Sequence, residues 1–349
     1  MAASDLDLGP PEPVPVSELV RLRGRPAYDI VRVGHVELLV SDLDASARFY
    51  GGLLGMLESD RGEDVVYLRG WEEHTHHSLV LRRSAEVAVG HVAFRVRDED
   101  DVARLADACE HEGTTVRWDG GEPHHGRALR FSDPLGIPLE FYCAMEPVES
   151  RLRHFHEHRG APLMRLDHVN LQVPDIERAL PFWGAHGFRC SEYLSTDGPE
   201  ERLCGAWLFR KPNCHDLAFT AGIGPRLHHF AFWVAEPMGV LRACDQVAAM
   251  GMAPAIERGP GRHGISNAFF VYLRDPDGHR IELFSSDYYT GDPDLEPLRW
   301  SAADPTARTF WGARAPDSWY DEASPFRGLD GRLVPVRDTA VDERSELMA

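Results

Sequence analysis

The sequence lacks the features that mark several large classes of protein. Cysteine is scarce, with six in 349 residues, and no two form a Cys-X-X-Cys pair, which argues against a disulfide framework or a zinc–cysteine cluster. No apolar run reaches the roughly 18 residues that a transmembrane helix needs. The acidic, proline-rich start, MAASDLDLGPPEPVP, is unlike a secretory signal. We therefore expect a cytoplasmic protein without a membrane partner.

Basic residues are also fewer than acidic ones. Lysine and arginine number 37 against 56 aspartates and glutamates, which gives a formal net charge of −19. Because no basic stripe offsets this charge, a nucleic-acid partner is excluded. A small anionic substrate is not excluded, since a few arginines can dominate one pocket. The length suits about two domains with substantial cores.

What the chain does contain is a repeat. Each copy opens with an alternating strand, continues through a Ser/Asp or Pro-Asp cap into a short amphipathic helix, and ends in further strands. Three pairs of stretches show it: 34–56 with 167–188, 90–96 with 228–234, and 133–142 with 275–284. This pattern predicts an α+β fold of four βαβββ modules, near residues 34–84, 90–143, 166–221 and 226–285. Pairing of modules closes each curved sheet around a cavity and gives two domains.

The remaining stretches fit around these domains. The polar, helix-like segment 146–162 is predicted to be the linker between them. The chain after Asp287 is irregular and rich in Trp and Pro, which indicates a lid. The predicted parts are an N-terminal extension (1–27), a first domain without metal (28–145), the linker (146–162), a catalytic second domain (163–288), and a lid and tail (289–349).

Three polar residues in the second domain form a candidate metal set. His168 and His229 each open a strand, and Glu282 lies inside a third. Strand alternation turns all three away from the apolar face and toward the expected cavity. Two imidazoles and one carboxylate cover one face of an octahedral ion and leave the opposite face for substrate and O₂. The neighbouring His228 shares its face with Phe230 and is predicted to be structural.

Longer motifs then suggest a family. The stretches LHHFAF, ERGPGRHGISNAF, YLRDPDGHRIELFSSDYYTGDPD and SWYDEAS resemble the extradiol ring-cleaving dioxygenases of the vicinal oxygen chelate superfamily, and within them those acting on 3,4-dihydroxyphenylacetate. The resemblance runs from about residue 28 to 330. It implies Fe(II)-dependent cleavage of a substituted catechol by O₂, with Mn(II) able to replace iron, and a homotetramer. The preferred substrate would be 3,4-dihydroxyphenylacetate, opened to 5-carboxymethyl-2-hydroxymuconate semialdehyde.

The resemblance also assigns roles to residues around the metal. His215 would be the acid/base, with a near-neutral pKa suited to proton shuttling, and Tyr272 would hydrogen-bond the substrate. Arg258 is the favoured anion-binding residue, because a rigid Gly-Pro-Gly turn would let its guanidinium grip a carboxylate. The full set of predicted substrate-binding residues is Asn170, Trp207, Arg258, His263, Arg308 and Trp319.

Other interpretations stay open at this point. Tyr272 could be a core tyrosine and His215 an exposed turn residue. Ala307 replaces one of two adjacent arginines found in the resembling enzymes, which weakens the case for a carboxylated substrate. The alternatives are an extradiol dioxygenase for catechol or an alkyl or aryl catechol, another reaction of the superfamily such as glyoxalase-type isomerisation, and a metal-free aromatic-binding protein.

The first domain carries His35, His91 and Glu140 at the positions that match the candidate metal ligands of the second. They could bind a second metal, or they could be the remnant of a duplication without one. The sequence favours the remnant, because Arg130 stands where Tyr272 does and Glu37 where Asn170 does. No counterpart of the DYYTGDPD tract follows the first-domain glutamate, and the resemblance implies a metal-free first domain.

Overall fold

The computed structural model describes residues 14–120, 124–161 and 163–341. The start of the predicted N-terminal extension (1–13) and the end of the predicted tail (342–349) lie outside the described residues. The rest of the extension contains one short helix, α1 (Val16–Leu19).

The first half of the chain contains two βαβββ modules, as predicted. The first module consists of β1 (Ile30–Val40), α2 (Leu43–Ala47, continued by a π-helical turn at Arg48–Leu53), β2 (Leu57–Arg61), β3 (Val65–Arg69) and β4 (Leu79–Arg83). The second consists of β5 (Ala88–Val96), α3 (Glu99–His111), β6 (Arg117–Asp119), β7 (Ala128–Ser132) and β8 (Pro138–Tyr142).

The second half repeats this order. The third module consists of β9 (Leu163–Val173), α4 (Ile176–Ala185), β10 (Arg189–Ser195), β11 (Leu203–Phe209) and β12 (Leu217–Ala221). The fourth consists of β13 (Arg226–Val234), α5 (Pro237–Ala249), β14 (Ile256–Arg262), β15 (Phe269–Arg274) and β16 (Arg280–Ser285). Short 3₁₀ turns follow α5 at Ala253–Ala255 and precede β15 at Ile265–Asn267.

Each half forms one sheet in which the first strands of its two modules lie side by side. The first sheet has the order β2-β3-β4-β1-β5-β8-β7-β6, and the second β14-β15-β16-β13-β9-β12-β11-β10. The central pairs, β1 with β5 and β9 with β13, are antiparallel. The same topology in both halves confirms the predicted paired-module architecture.

Local sequence signals explain where the strands turn into helices. Asp42 caps α2 by accepting a hydrogen bond from the Ala45 amide, and Asp175 caps α4 by accepting one from Arg178. In α4 the apolar positions bury Leu180 and Trp183 against the back of the sheet, where a helix covers the face opposite the cavity.

The predicted helix-like character of the linker 146–162 was wrong. Within residues 146–161, the part of this segment that the structure describes, the helical structure is limited to a 3₁₀ turn at Phe155–Glu157. A short polar segment has no apolar face to bury, and isolated helices of this length are marginal in water. Phe155 is in fact 72% exposed.

The segment after β16 contains more regular structure than its composition suggests. Its elements are β17 (Leu298–Ser301), α6 (Pro305–Arg308), α7 (Asp317–Asp321) and β18 (Ser324–Pro325). Strand β17 extends the second sheet beside β10, and β18 pairs with β13. The segment is thereby anchored at two places, with α6 and α7 held over the cavity of the second sheet.

The two halves pack tightly against each other. Buried apolar residues of both sheets form one continuous core, and the Tyr50 hydroxyl donates to Asp275 Oδ2 at 2.9 Å. Asp216 accepts a hydrogen bond from the Val33 amide at 3.1 Å across the same boundary. Among the described residues, no helix combines the length and the apolar character needed to cross a membrane.

Candidate metal centre and active site

Strand register brings the three predicted metal ligands together. Ala231 of β13 lies directly opposite His168 on β9 and opposite Glu282 on β16. His229 is two residues from Ala231 along β13 and so points to the same face of the sheet. A small residue at the centre leaves room for three larger side chains to converge above it.

The donor atoms of these side chains are close together and buried. His168 Nε2 and His229 Nε2 each lie 3.1 Å from Glu282 Oε2. The three side chains are at most 4% exposed. Metal–ligand bonds of about 2.1 Å at right angles place neighbouring donor atoms about 3 Å apart, which agrees with these separations.

Hydrogen bonds at the Nδ1 atoms of His168 and His229 leave the lone pair of each Nε2 directed at Glu282. His168 Nδ1 donates to Asp167 Oδ2 at 3.0 Å. His228 Nε2 donates to the Trp319 carbonyl at 2.9 Å, so its Nδ1 accepts from His229 Nδ1 at 2.7 Å. Both Nε2 atoms are therefore free of hydrogen in the neutral state. His228 supplies no donor atom to the His/His/Glu set, but it fixes the tautomer of its neighbour.

The electrostatic environment of His168, His229 and Glu282 favours a bound cation. Burial alone would raise the pKa of Glu282, but His168 and His229 outweigh it and hold that pKa well below its usual range. Burial would likewise lower the pKa of His168, yet hydrogen bonds to Asp167 and Glu282 raise it above its usual value. The residues fit a divalent transition metal in donor type, distance and charge.

Further polar groups surround this set. The His215 ring lies 3.9 Å from the His168 ring, centroid to centroid, and His215 Nδ1 is buried without a hydrogen-bond partner. His263 Nδ1 donates to the Arg308 carbonyl, which leaves His263 Nε2 to accept from the Tyr272 hydroxyl at 3.0 Å. The oxygen of Tyr272 is left able to accept a hydrogen bond from a hydroxyl in the cleft.

The structure excludes the alternative left open for His215 and contradicts one expectation about it. The residue is only 4% exposed, so it is not an exposed turn residue. Burial, followed by the charge of His168, takes its pKa well below the usual value, whereas a near-neutral pKa was expected. His215 is therefore a neutral imidazole at physiological pH.

Arg258 lines the same cleft as the His/His/Glu set. Its guanidinium stacks 4.3 Å from the centre of the Trp319 ring and donates to Thr309 Oγ1 at 2.8 Å. The predicted Gly-Pro-Gly turn was wrong, because residues 259–261 lie inside the edge strand β14 at a register irregularity. Proline is tolerated at such a bulge, and Gly259 supplies the positive φ of 95° that the bulge requires.

All the residues predicted for the site line one cleft: His168, Asn170, Trp207, His215, His229, Arg258, His263, Tyr272, Glu282, Arg308 and Trp319. The sequence missed Thr220, Ile265 and Ser266, which complete the lining. Thr220 donates to Asn170 Oδ1 at 2.9 Å, a contact that depends on the pairing of β12 with β9.

The DYYTGDPD tract supports the cleft from behind. Thr290 Oγ1 donates to the Asn213 carbonyl at 2.6 Å, and Asn213 Nδ2 donates to Asp167 Oδ1 at 2.9 Å. The tract thus holds both the loop that carries His215 and the carboxylate that orients His168.

Burial of neutral imidazoles predicts acid lability of the metal-free protein. Burial lowers the pKa of His229 to about 4 and that of His263 to about 3, and it takes those of His215 and His228 well below the usual value. In the unfolded chain these groups titrate near 6.5, so the unfolded state binds more protons between pH 6.5 and 4. His168, with its raised pKa, acts in the opposite direction.

The free energy of unfolding should therefore fall by several kcal/mol between pH 7.5 and 5, since each such group contributes up to about 1.4 kcal/mol per pH unit. Urea unfolding at the two pH values, after exhaustive metal removal, measures this difference. An unfolding free energy that does not change with pH would show that the histidines are protonated in the folded state.

Comparison with known proteins agrees with this fold and site. Residues 32–141 and 165–283 match the Glyoxalase/Bleomycin resistance protein/Dioxygenase superfamily. The chain is 34% identical, over 81% of its length and 94% of the relative, to a manganese-dependent 2,3-dihydroxybiphenyl 1,2-dioxygenase of Geobacillus genomosp. 3. It is 31% identical, over 86% of its length and 95% of the relative, to a metapyrocatechase of Geobacillus stearothermophilus.

Solved structures are similar over nearly the whole chain. An extradiol ring-cleaving dioxygenase from Brevibacterium fuscum has a TM-score of 0.89 at 40% identity, covering 93% of this chain and 91% of that one. Homoprotocatechuate 2,3-dioxygenase from Arthrobacter globiformis has a TM-score of 0.87 at 40% identity, covering 91% and 98%.

Paired βαβββ modules around a buried His/His/Glu set define a vicinal oxygen chelate protein. Within that superfamily, the chain belongs to the extradiol ring-cleaving dioxygenases, which act on catechols.

Proposed function

We propose that this enzyme cleaves 3,4-dihydroxyphenylacetate beside its diol, using O₂ and a divalent metal held by His168, His229 and Glu282. Fe(II) is the proposed metal, and Mn(II) is the alternative because these donor types do not separate the two ions. The observation that carries the proposal is the convergence of the three donors, a neutral His215 and the Tyr272–His263 pair in one buried cleft.

When bound, the metal supplies acidification of the catechol hydroxyls and a common template for diol and O₂. The protein residues handle the protons and the ring. His215, neutral and with Nδ1 unpartnered, can take a proton from a reacting oxygen and return it later. Tyr272 stays protonated because burial raises its pKa well above the usual value, so its hydroxyl can position a substrate oxygen.

Arg258 favours an anionic side chain on the substrate. Its guanidinium is 4% exposed, its Nε has no hydrogen-bond partner, and it has no ion-pair partner within 4 Å among the described residues. A buried cation without a counterion is costly, and a substrate carboxylate would supply the missing charge. Ala307 removes one expected arginine but leaves Arg258 and Arg308 lining the cleft.

The substrate proposal is tested by steady-state kinetics on 3,4-dihydroxyphenylacetate, 4-methylcatechol and catechol. A charge-assisted contact of about 1.5–3 kcal/mol predicts a kcat/KM for the carboxylate substrate about 10- to 100-fold above that for 4-methylcatechol. Arg258→Gln should remove most of this preference while leaving 4-methylcatechol turnover nearly unchanged. Equal or reversed preference in the unaltered enzyme would favour the neutral catechols instead.

The proposed homotetramer rests on the resemblance alone. Light scattering coupled to size exclusion measures the mass of the assembly directly, against a chain mass of 39.1 kDa.

A further inference from the structure

The first half of the molecule repeats both the residue types and the geometry of the metal centre. Ala93 of β5 lies opposite His35 on β1 and opposite Glu140 on β8, and His91 points to the same face. This is the register that Ala231 shares with His168 and Glu282 in the second half. Two sheets of one topology therefore present three donors at equivalent positions.

The donor atoms in the first half are also close and buried. His35 Nε2 lies 3.0 Å from His91 Nε2 and 3.3 Å from Glu140 Oε1, and His91 Nε2 lies 3.7 Å from Glu140 Oε2. All three side chains are at most 3% exposed. Tetrahedral bonds of about 2.0 Å place neighbouring donors about 3.3 Å apart, so these separations suit a single ion.

A third imidazole, that of His125, lies beside the same carboxylate. Its Nδ1 is 2.6 Å from the Gly126 carbonyl oxygen and its Nε2 is 3.0 Å from Glu140 Oε1, within hydrogen-bond distance of both. In addition, His77 Nε2 is buried without a partner, and its ring centre lies 4.9 Å from that of His35.

The surroundings indicate weaker binding than in the second half. Arg130 donates through Nε to Glu140 Oε2 at 2.6 Å, the carboxylate oxygen that also lies nearest His91 Nε2. Gly34 stands before His35, at the position where Asp167 orients His168. A guanidinium beside the ligand and a missing orienting carboxylate both reduce metal affinity.

We propose that the first half binds a second divalent transition-metal ion through His35 Nε2, His91 Nε2 and the Glu140 carboxylate. The sequence favoured a metal-free remnant, and the convergence of these three donors leads us to the opposite conclusion. Two imidazoles and a carboxylate suit zinc, iron or cobalt. The ion is structural, since Arg130 and Glu37 replace the groups that would position a substrate. The proposal is independent of the ring-cleavage reaction.

Cobalt(II) titration of metal-stripped protein tests this site, read by visible d–d absorption and by metal analysis after gel filtration. The full-length enzyme should bind two ions per chain, the second with at least tenfold lower affinity. Glu282→Gln should retain only the weaker site, Glu140→Gln only the tighter one, and the double variant neither. Glu73→Gln, which alters a buried carboxylate outside both donor sets, should still bind two.

Two outcomes would overturn the proposal: a single ion in the full-length enzyme that Glu282→Gln removes, or an unchanged stoichiometry in Glu140→Gln. If Glu140→Gln fails to fold, chelator removal from the unaltered enzyme decides the question. Two phases of metal loss, with ring cleavage surviving the first, support the second ion. One phase that matches the loss of activity contradicts it.

Discussion

Glu282→Gln should abolish ring cleavage and strip the second half of its metal. Glutamine keeps the size of the side chain but removes the negative charge, and its amide would face the imidazole lone pairs of His168 and His229, both 3.1 Å from the glutamate oxygen. Loss of a residue that hydrogen-bonds to a metal ligand weakens metal binding by roughly 10- to 100-fold. Loss of a ligand itself should weaken it by more. Oxygen consumption with 3,4-dihydroxyphenylacetate and metal analysis measure the two effects.

Glu140→Gln is the matched control, because it makes the same chemical change at the equivalent position of the first half. It should leave ring cleavage close to that of the unaltered enzyme. If Glu282→Gln remained active while Glu140→Gln lost activity, the catalytic centre would have to be assigned to the first half.

His215→Asn should lower kcat by about 10²- to 10⁴-fold, the usual contribution of a positioned acid/base, without loss of metal. His215 supplies no donor atom to the His/His/Glu set, so metal content separates its role from that of a ligand. KM should change little, because the cleft is lined by many other side chains. Rapid-quench and steady-state kinetics, beside metal analysis, measure this effect.

His186→Asn serves as the control for removal of a buried imidazole. His186 is 2% exposed and contacts Phe182 and Cys109, away from the cleft. A His215→Asn enzyme whose kcat stays within about threefold of the original would rule out proton transfer by this residue.

Strand alternation and repetition made most of the fold and the metal centre predictable. The periodicity that placed His168, His229 and Glu282 on the cavity face is a local property of each strand, and the duplication showed how the modules pair. Recurrence of the same register in both halves also explains why His35, His91 and Glu140 could be found from the sequence alone.

What the sequence could not supply depends on contacts between distant segments. The orientation of His229 by His228 and the Trp319 carbonyl appears only when the segment after β16 packs on the second sheet. Asp167, which orients its neighbour His168, is itself held by the distant Asn213. The low pKa of His215 follows from its burial, which its turn-like surroundings in the sequence concealed. The Gly-Pro-Gly stretch has the local preference of a turn, and pairing of β14 with β15 overrides that preference.

The most direct test of the account is anaerobic mixing of iron-reconstituted enzyme with 3,4-dihydroxyphenylacetate, followed by admission of air. Cleavage beside the diol predicts a yellow ring-opened semialdehyde, with one O₂ consumed per product formed and none in Glu282→Gln. A colourless product, or substrate that stays intact in protein carrying its full complement of metal, would contradict the assignment.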